Sequence, residues 1–318
     1  MKAPLDNISE SLNKKYDVII SSVSYEERCL SIITAINDKI EFNKKIVSIS
    51  IPHKSLFIDN IKIFDQNGFI PVEINNAEQI DTVNNFMRIL NEIIVSTPKA
   101  SFLIDITTFT KQTLLILLRL LRNLLTKENQ IQFVYTPAKE YSIGLPFAEK
   151  WLSRGIVGVN SVFGYSGIIR PSRPFHLVLL MGFEVERAAS LIEAYEPSKI
   201  SVGYARKEGS ISEELYQLNK QKFNELLSEF PNAESFEFSC IDIEECKFDI
   251  LNQIDKYKDC NVIVSPMNNK ISTISCALAA FENDEIQLAI AIPALYNYQN
   301  YSIPGDCCYL FDIPEFTK

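Results

Sequence analysis

Ser101-Phe102-Leu103-Ile104-Asp105-Ile106-Thr107-Thr108-Phe109-Thr110-Lys111 decides the fold of this chain. Its first four residues are an apolar run that reads as a buried strand. A carboxylate, three threonines and a lysine then form a turn. An apolar helix is predicted to follow from Gln112 to about Lys127. Strand, polar turn and helix in that order make an anion-binding corner, because helix N-terminal amides, hydroxyls and a lysine converge there. A related corner stands one half-chain later, at Val264-Ser265-Pro266-Met267-Asn268-Asn269-Lys270.

Outward from the first corner, strands alternate with helices. Strands are predicted at 17–23, 45–51, 70–74 and 131–135, with Pro71 placing the third at a sheet edge. Helices are predicted at 24–37, capped by Ser24, at 55–67, ended by Gly68, and at 81–95. After a Gly- and Pro-containing stretch the rhythm restarts, with strands at 175–181, 199–205, 235–240, 261–264 and 286–292. Helices fall between them at 184–195, 212–230, 248–257 and 270–281. A final run at 308–311 is predicted as an edge strand. This alternation implies βαβ units and mainly parallel sheets. The expected fold class is α/β, a tandem duplication of Rossmann-like domains. The expected division is 1–144, a connector with a hairpin at 145–174, and 175–318.

Local matches support the duplication. Glu27–Ile33 lies over Glu186–Ile192, and Lys111 over Lys270, at the same offset. Ile131-Gln132 lies over Ile286-Gln287, and Tyr141-Ser142-Ile143 over Tyr301-Ser302-Ile303. In open parallel sheets, ligands bind beyond the carboxyl ends of the strands, where the strand order reverses. Two such halves facing one composite pocket would suit a ligand with repeated phosphates.

Composition narrows the function. The 318 residues carry a net charge of -9, which argues against a broad DNA-binding surface. Residues 1–159 hold 18 Lys and Arg against 17 Asp and Glu, and residues 160–318 hold 13 against 23. An anionic ligand is therefore expected on the first half. Seven cysteines show no metal spacing or disulfide framework, and the first residues lack the apolar core of a signal peptide. Arg119 and Arg122 interrupt the most apolar helix. The expectation is a cytoplasmic protein off the membrane, with no metal or cofactor. Two histidines, His53 and His176, supply a catalytic triad or a metal site poorly; neither GxGxxG nor a Walker motif occurs.

The candidate ligand-binding residues are Lys111, Thr107, Thr108, Thr110, Ser24, Tyr25, Arg28, Lys270, Asn268, Asn269, Glu184 and Arg187. A lysine at a helix start opposes the helix dipole, so its recurrence in both halves points to an anion. The threonines either offer hydroxyls to that anion or cap the helix. Arg28 either grips a phosphate bidentately or forms an ion pair. Tyr25, Tyr135 and Tyr296 offer rings for base stacking, and Phe183-Glu184 echoes Tyr25-Glu26. His53 follows a strand at the pocket edge. Asp105, Glu26 and Glu27 are the candidate acid–base groups if the pocket is catalytic.

Strand, Asp-x-Thr-x-x-Thr-Lys, then apolar helix resembles the fourth-strand motif of CRISPR-associated Rossmann-fold (CARF) sensor domains. The chain departs from them in lacking the Gly-Gly of their usual Gly-Gly-Thr-Lys turn, and its second copy keeps only the lysine. Two fused CARF-like units also resemble the SAVED sensors of bacterial antiviral signalling. The resemblance implies a nucleotide or cyclic-oligonucleotide ligand and a sensor or regulatory role, with no attached effector domain visible in the sequence. Two other readings stand beside it: an enzyme hydrolysing a nucleotide-like or phosphorylated small molecule, and a scaffold binding an effector or partner protein. Oligomeric state stays open.

Overall fold

A computed structural model describes every residue except Asn37, Pro314, Glu315 and Lys318, and every other side chain except those of His53 and Ala148. The expectation for the His53 side chain thus lies outside the described residues. The chain forms two compact units. The first comprises residues 1–143 and 298–318, and the second residues 144–297.

The first unit holds β1 (Lys2–Pro4), β2 (Lys15–Ser22), α1 (Ser31–Ala35), β3 (Glu41–Ser50), α2 (Ile58–Gln66), β4 (Ile70–Ile74), α3 (Gln79–Ser96), β5 (Ser101–Asp105), α4 (Lys111–Leu124), β6 (Gln130–Tyr135) and β7 (Ala138–Tyr141). The second holds β8 (Ser153–Ser166), β9 (Phe175–Leu180), α5 (Val185–Tyr195), β10 (Lys199–Ala205), α6 (Glu213–Glu229), β11 (Glu234–Phe238), α7 (Ile243–Ile254), β12 (Asn261–Pro266), α8 (Lys270–Glu282) and β13 (Ile286–Tyr296). The chain then returns to the first unit with β14 (Ser302–Pro304) and β15 (Cys307–Asp312).

Both units are built on the same parallel ladder. The first sheet runs β1-β15-β6-β5-β2-β3-β4, and the second runs β11-β10-β9-β12-β13-β8. Within each, the five parallel strands stand in the order third, second, first, fourth, fifth. Each carries an antiparallel sixth strand beside the fifth, β15 on β6 and β8 on β13. This is a doubly wound, Rossmann-like order, with its switch point between the first and fourth strands. The cores match as well. Ile19, Val23, Val47, Ile49 and Leu103 pack under Ile32 and Phe64 in the first unit. Leu177, Leu179, Met181, Val202 and Ile263 pack under Ala188, Leu191 and Phe223 in the second. The alternate residues of each strand face the opposite layer, as the two-residue period of a strand requires.

Several elements differ from the sequence expectation. Ser24 does not cap a long helix. Its hydroxyl accepts from the Glu26 amide, a 3-10 turn spans Glu27–Leu30, and α1 is only five residues long. No hairpin forms at 157–169; β8 is one strand running antiparallel to β13. α7 begins at Ile243, because Asp242 caps it by accepting from the Glu245 amide, five residues before the periodic apolar pattern begins. Residues 298–318, expected in the second domain, complete the first sheet. Tyr141–Ile143 and Tyr301–Ile303 are not counterparts in two halves. They lie in one unit, where β7 and β14 pair antiparallel, Tyr141 opposite Ser302. Pro71 does sit on an edge strand, β4, and Gly68 (φ 76°) follows the end of α2. Among the described residues no helix is long and apolar enough to cross a membrane.

Candidate functional site

The carboxyl ends of β2 and β5 bring the first corner together. Asp105 is the last residue of β5 and is 2% exposed. Its Oδ1 accepts from the Thr107 amide at 3.1 Å and from the Thr107 hydroxyl at 2.5 Å. Burial pushes the Asp105 carboxyl up to about 6, against the Thr107 hydrogen bonds and the Arg28 charge, which pull it down. The Thr107 hydroxyl in turn accepts from the Thr136 amide at 3.0 Å. The Thr108 hydroxyl donates to the Ser22 carbonyl at 2.6 Å, tying β5 to β2. Thr110 caps α4, its Oγ1 accepting from the Thr113 amide. The Asn76 carboxamide oxygen accepts from the Thr110 and Thr113 hydroxyls, and the Asn76 carbonyl accepts from Gln112.

The threonines therefore do both jobs read for them only in part. Thr107 is fully buried and its hydroxyl is committed within the protein, because a buried polar group must find a partner. Thr108, Thr110 and Lys111 remain half-exposed on the rim, with Lys111 as the first residue of α4.

Arg28 was a candidate to reach outward to a phosphate. It is instead 2% exposed and points inward. Its Nε and Nη2 donate to Glu26 Oε2, Nε also reaches Ser302 Oγ at 3.1 Å, and Nη1 donates to the Thr136 carbonyl at 3.1 Å. The guanidinium lies 5.6 Å from the centre of the Tyr141 ring. Glu26 is the buried counter-ion of Arg28 and also accepts from Ser302 Oγ at 2.6 Å. Glu27 is exposed at the start of the 3-10 turn, so the two acids expected together face different surroundings. Tyr25 packs edge-on against Tyr301 at 5.5 Å, and Tyr135 is buried at the end of β6. Tyr296, the third ring proposed for stacking, ends β13 in the other unit.

The second unit repeats the arginine arrangement. Arg187 Nη1 donates to Glu184 at 2.5 Å, while Nε and Nη2 donate to the Ala291 carbonyl on β13 at 3.0 and 2.7 Å. Ser153 on β8 donates to Glu184. An acid, an arginine, a serine and a main-chain carbonyl thus recur, the carbonyl lying just past β6 in the first unit and inside β13 in the second. The equivalent acids are Glu26 and Glu184, rather than Glu27 and Glu186 as the sequence overlay suggests; Glu186 accepts from the Gly155 amide. Sequence reasoning missed Ser302 and Ser153, whose only signal would have been knowledge of which strands pair.

The second corner is filled with amides. Asn268 donates to the Met181 carbonyl at 2.7 Å and accepts from the Asn269 amide and the Cys240 thiol. Asn269 caps α8 through the Ser272 amide and donates to the Cys240 carbonyl. Asn219, from α6, donates to the carbonyls of Met181 and Gly182. Gly182 lies so close to the residue that follows β12 that a Cβ there would be 2.3 Å from the Met267 carbonyl. The backbone itself closes the space between first and fourth strands. Lys270 begins α8 half-exposed, as Lys111 begins α4.

These features define a tandem Rossmann-like α/β protein with two switch-point corners of unlike chemistry. No protein-family model matches the chain, and no curated protein matches it. Among solved structures it is similar to a UDP-GlcNAc 2-epimerase from Neisseria meningitidis bound to UDP-GlcNAc, at 10% identity over 79% of this chain and 77% of that one, with a TM-score of 0.24. It is also similar to a LacI transcriptional regulator from Lactobacillus brevis, at 11% identity over 86% and 78%, with a TM-score of 0.25.

Proposed function

We propose that the first unit binds a nucleotide or cyclic oligonucleotide at the Asp105–Lys111 corner, and that the chain is a sensor or regulatory component of a bacterial antiviral defence system. The observation that carries this reading is Lys111 at the first position of α4, beside half-exposed Thr108 and Thr110, at the carboxyl end of the fourth strand. A lysine there opposes the helix dipole, and an anion bound at the start of α4 would be favoured by both the lysine and the helix amides. The motif's resemblance to CARF and SAVED sensors supplies the ligand class and the defence role. Titration calorimetry against cyclic di-, tri- and tetranucleotides tests it. At least one should bind, and Lys111→Ala should weaken it. No binding by the wild-type chain, or equal binding by the Lys111→Ala, Lys270→Ala double variant, overturns the reading.

One observation favours hydrolysis of the bound ligand as a second reading. Asp105 ends β5 at the head of the same corner, and burial raises its carboxyl, as suits a general acid or base. Turnover of a bound nucleotide that Asp105→Asn abolishes would establish it; turnover that survives the substitution would remove Asp105 from the chemistry.

A further inference from the structure

The chain leaves the first unit after Ile143 and re-enters it at Tyr298. Next to these two points stand β7 and β14, which pair with each other as a separate two-stranded sheet. Around that ladder, the Ser142 amide donates to the Tyr301 carbonyl and the Ile143 amide to the Asn300 carbonyl, each at 3.0 Å. The Gly305 amide donates to the Pro137 carbonyl, in an approach where a Cβ would lie 2.8 Å from that oxygen. Exit and re-entry are thus stitched together.

A continuous run of direct hydrogen bonds joins this stitch to the candidate corner. Asp105 accepts from Thr107, and Thr107 Oγ1 accepts from the Thr136 amide. The Thr136 carbonyl accepts from Arg28, and Arg28 donates to Ser302 on β14 while its guanidinium lies against Tyr141 on β7. Glu26 accepts from both Arg28 and Ser302. Asp105, Thr107, Thr136, Arg28, Glu26 and Ser302 are all at most 8% exposed. Inside a protein, a displaced member of such a run leaves its neighbour unpaired away from water, so neighbours move together. At the middle of the run the Thr136 hydroxyl is buried and has no hydrogen-bond partner.

We infer that the Asp105–Thr107 corner and the paired strands β7 and β14 form one coupled element, with Thr136 and Arg28 as the link, so that a change at the corner alters the order of the two segments where the chain leaves and re-enters the first unit. The coupling goes beyond ligand binding and is testable without any ligand. Site-resolved hydrogen exchange on the full chain reads it. Thr107→Val removes the hydroxyl at the head of the run, and Thr107→Ser keeps it. Exchange of the Ser142 and Ile143 amides should rise about tenfold in Thr107→Val and stay within about twofold in Thr107→Ser, with Ile46 on β3 and Val264 on β12 unchanged. Faster exchange at the Thr136 amide alone would overturn the coupling, and so would an equal rise at Ile46. If Thr107→Val does not fold, Ser302→Ala reads the run from its other end. The Thr107 amide, bonded to Asp105, should then exchange faster, and an unchanged Thr107 amide would overturn the inference equally.

Discussion

The corners at Asp105–Lys111 and Ser265–Lys270 occupy the same place in the same strand order, and each opens its helix with a lysine. Around them the two units share a buried acid–arginine–serine arrangement. What differs is the filling. The first corner holds a buried carboxyl hydrogen-bonded by threonine. The second holds asparagines that meet one another, a carbonyl and a helix end, with the Gly182 backbone closing the gap. The shared parts build the ladder end. The unshared carboxyl is an expense to folding that the amide version avoids, which marks the first corner as the specialised one.

The shared part gives the largest expected effect. Arg28→Ala leaves Glu26 buried without its counter-charge, and Arg187→Ala does the same to Glu184. Each should cost about 3–5 kcal/mol, read by urea denaturation. A large cost in one unit and almost none in the other would break the equivalence of the two arrangements.

Acid should then drive the units in opposite directions. Asp105 sits near 6 when folded and near 3.8 in a model peptide, so its folded form binds the proton more tightly. Its contribution is present below pH 3.8 and is lost as pH rises through 6. His176, buried on β9, is pushed down to about 4 by burial, with its Nε2 against Ser201 Oγ and its Nδ1 unpartnered. Its contribution is present above pH 6.5 and is lost as pH falls through 4. Each spans about 3 kcal/mol at most. Exchange measured at pH 7 and pH 4.5 should show the first unit firmer and the second looser at the lower pH. Asp105→Asn should remove the first trend by stabilising the first unit at pH 7. A destabilised Asp105→Asn variant at pH 7 would mean that the carboxylate is no burden.

Smaller effects sharpen the contrast between open and closed corners. Gly182→Ala forces a methyl onto the Met267 carbonyl and should cost about 1–3 kcal/mol, seen as a lower denaturation midpoint. Tolerance of alanine there would show that the second corner has room. Smallest, Lys111→Ala should weaken nucleotide binding about tenfold, near 1.4 kcal/mol, while Lys270→Ala changes it less than twofold in calorimetry. Equal losses would make both corners binding sites.

Much of this was legible in the sequence. Continuous apolar runs located all ten parallel strands, and Thr110, read as an anion ligand or a cap, does open α4; the capping of α8 by Asn269 was not foreseen. The recurrent lysine located both corners. Pairing partners were not legible. Nothing in Cys307–Asp312 says that its neighbour is β6 rather than a strand of the second unit, since one apolar strand fits either edge. Arg28 was ambiguous for the same reason. Its fate is decided by Ser302, 274 residues away, and by a carbonyl that carries no side-chain signature. The Asp105 carboxyl could be named from sequence, but its burial and its raised proton affinity come only from packing.

The divided first unit sets an order of events on the ribosome. Residues 144–297 are continuous, so the second unit can close as soon as it has emerged. The first cannot. β6 is made early, but its outer neighbour β15 is made last, and β1 has no partner until β15 arrives. At ordinary synthesis speeds β6 waits on the order of ten to thirty seconds with a bare edge. A bare edge is a template for strangers. The nascent chain is therefore most exposed to misassembly in the interval when the second unit is already folded and the first still lacks β14 and β15.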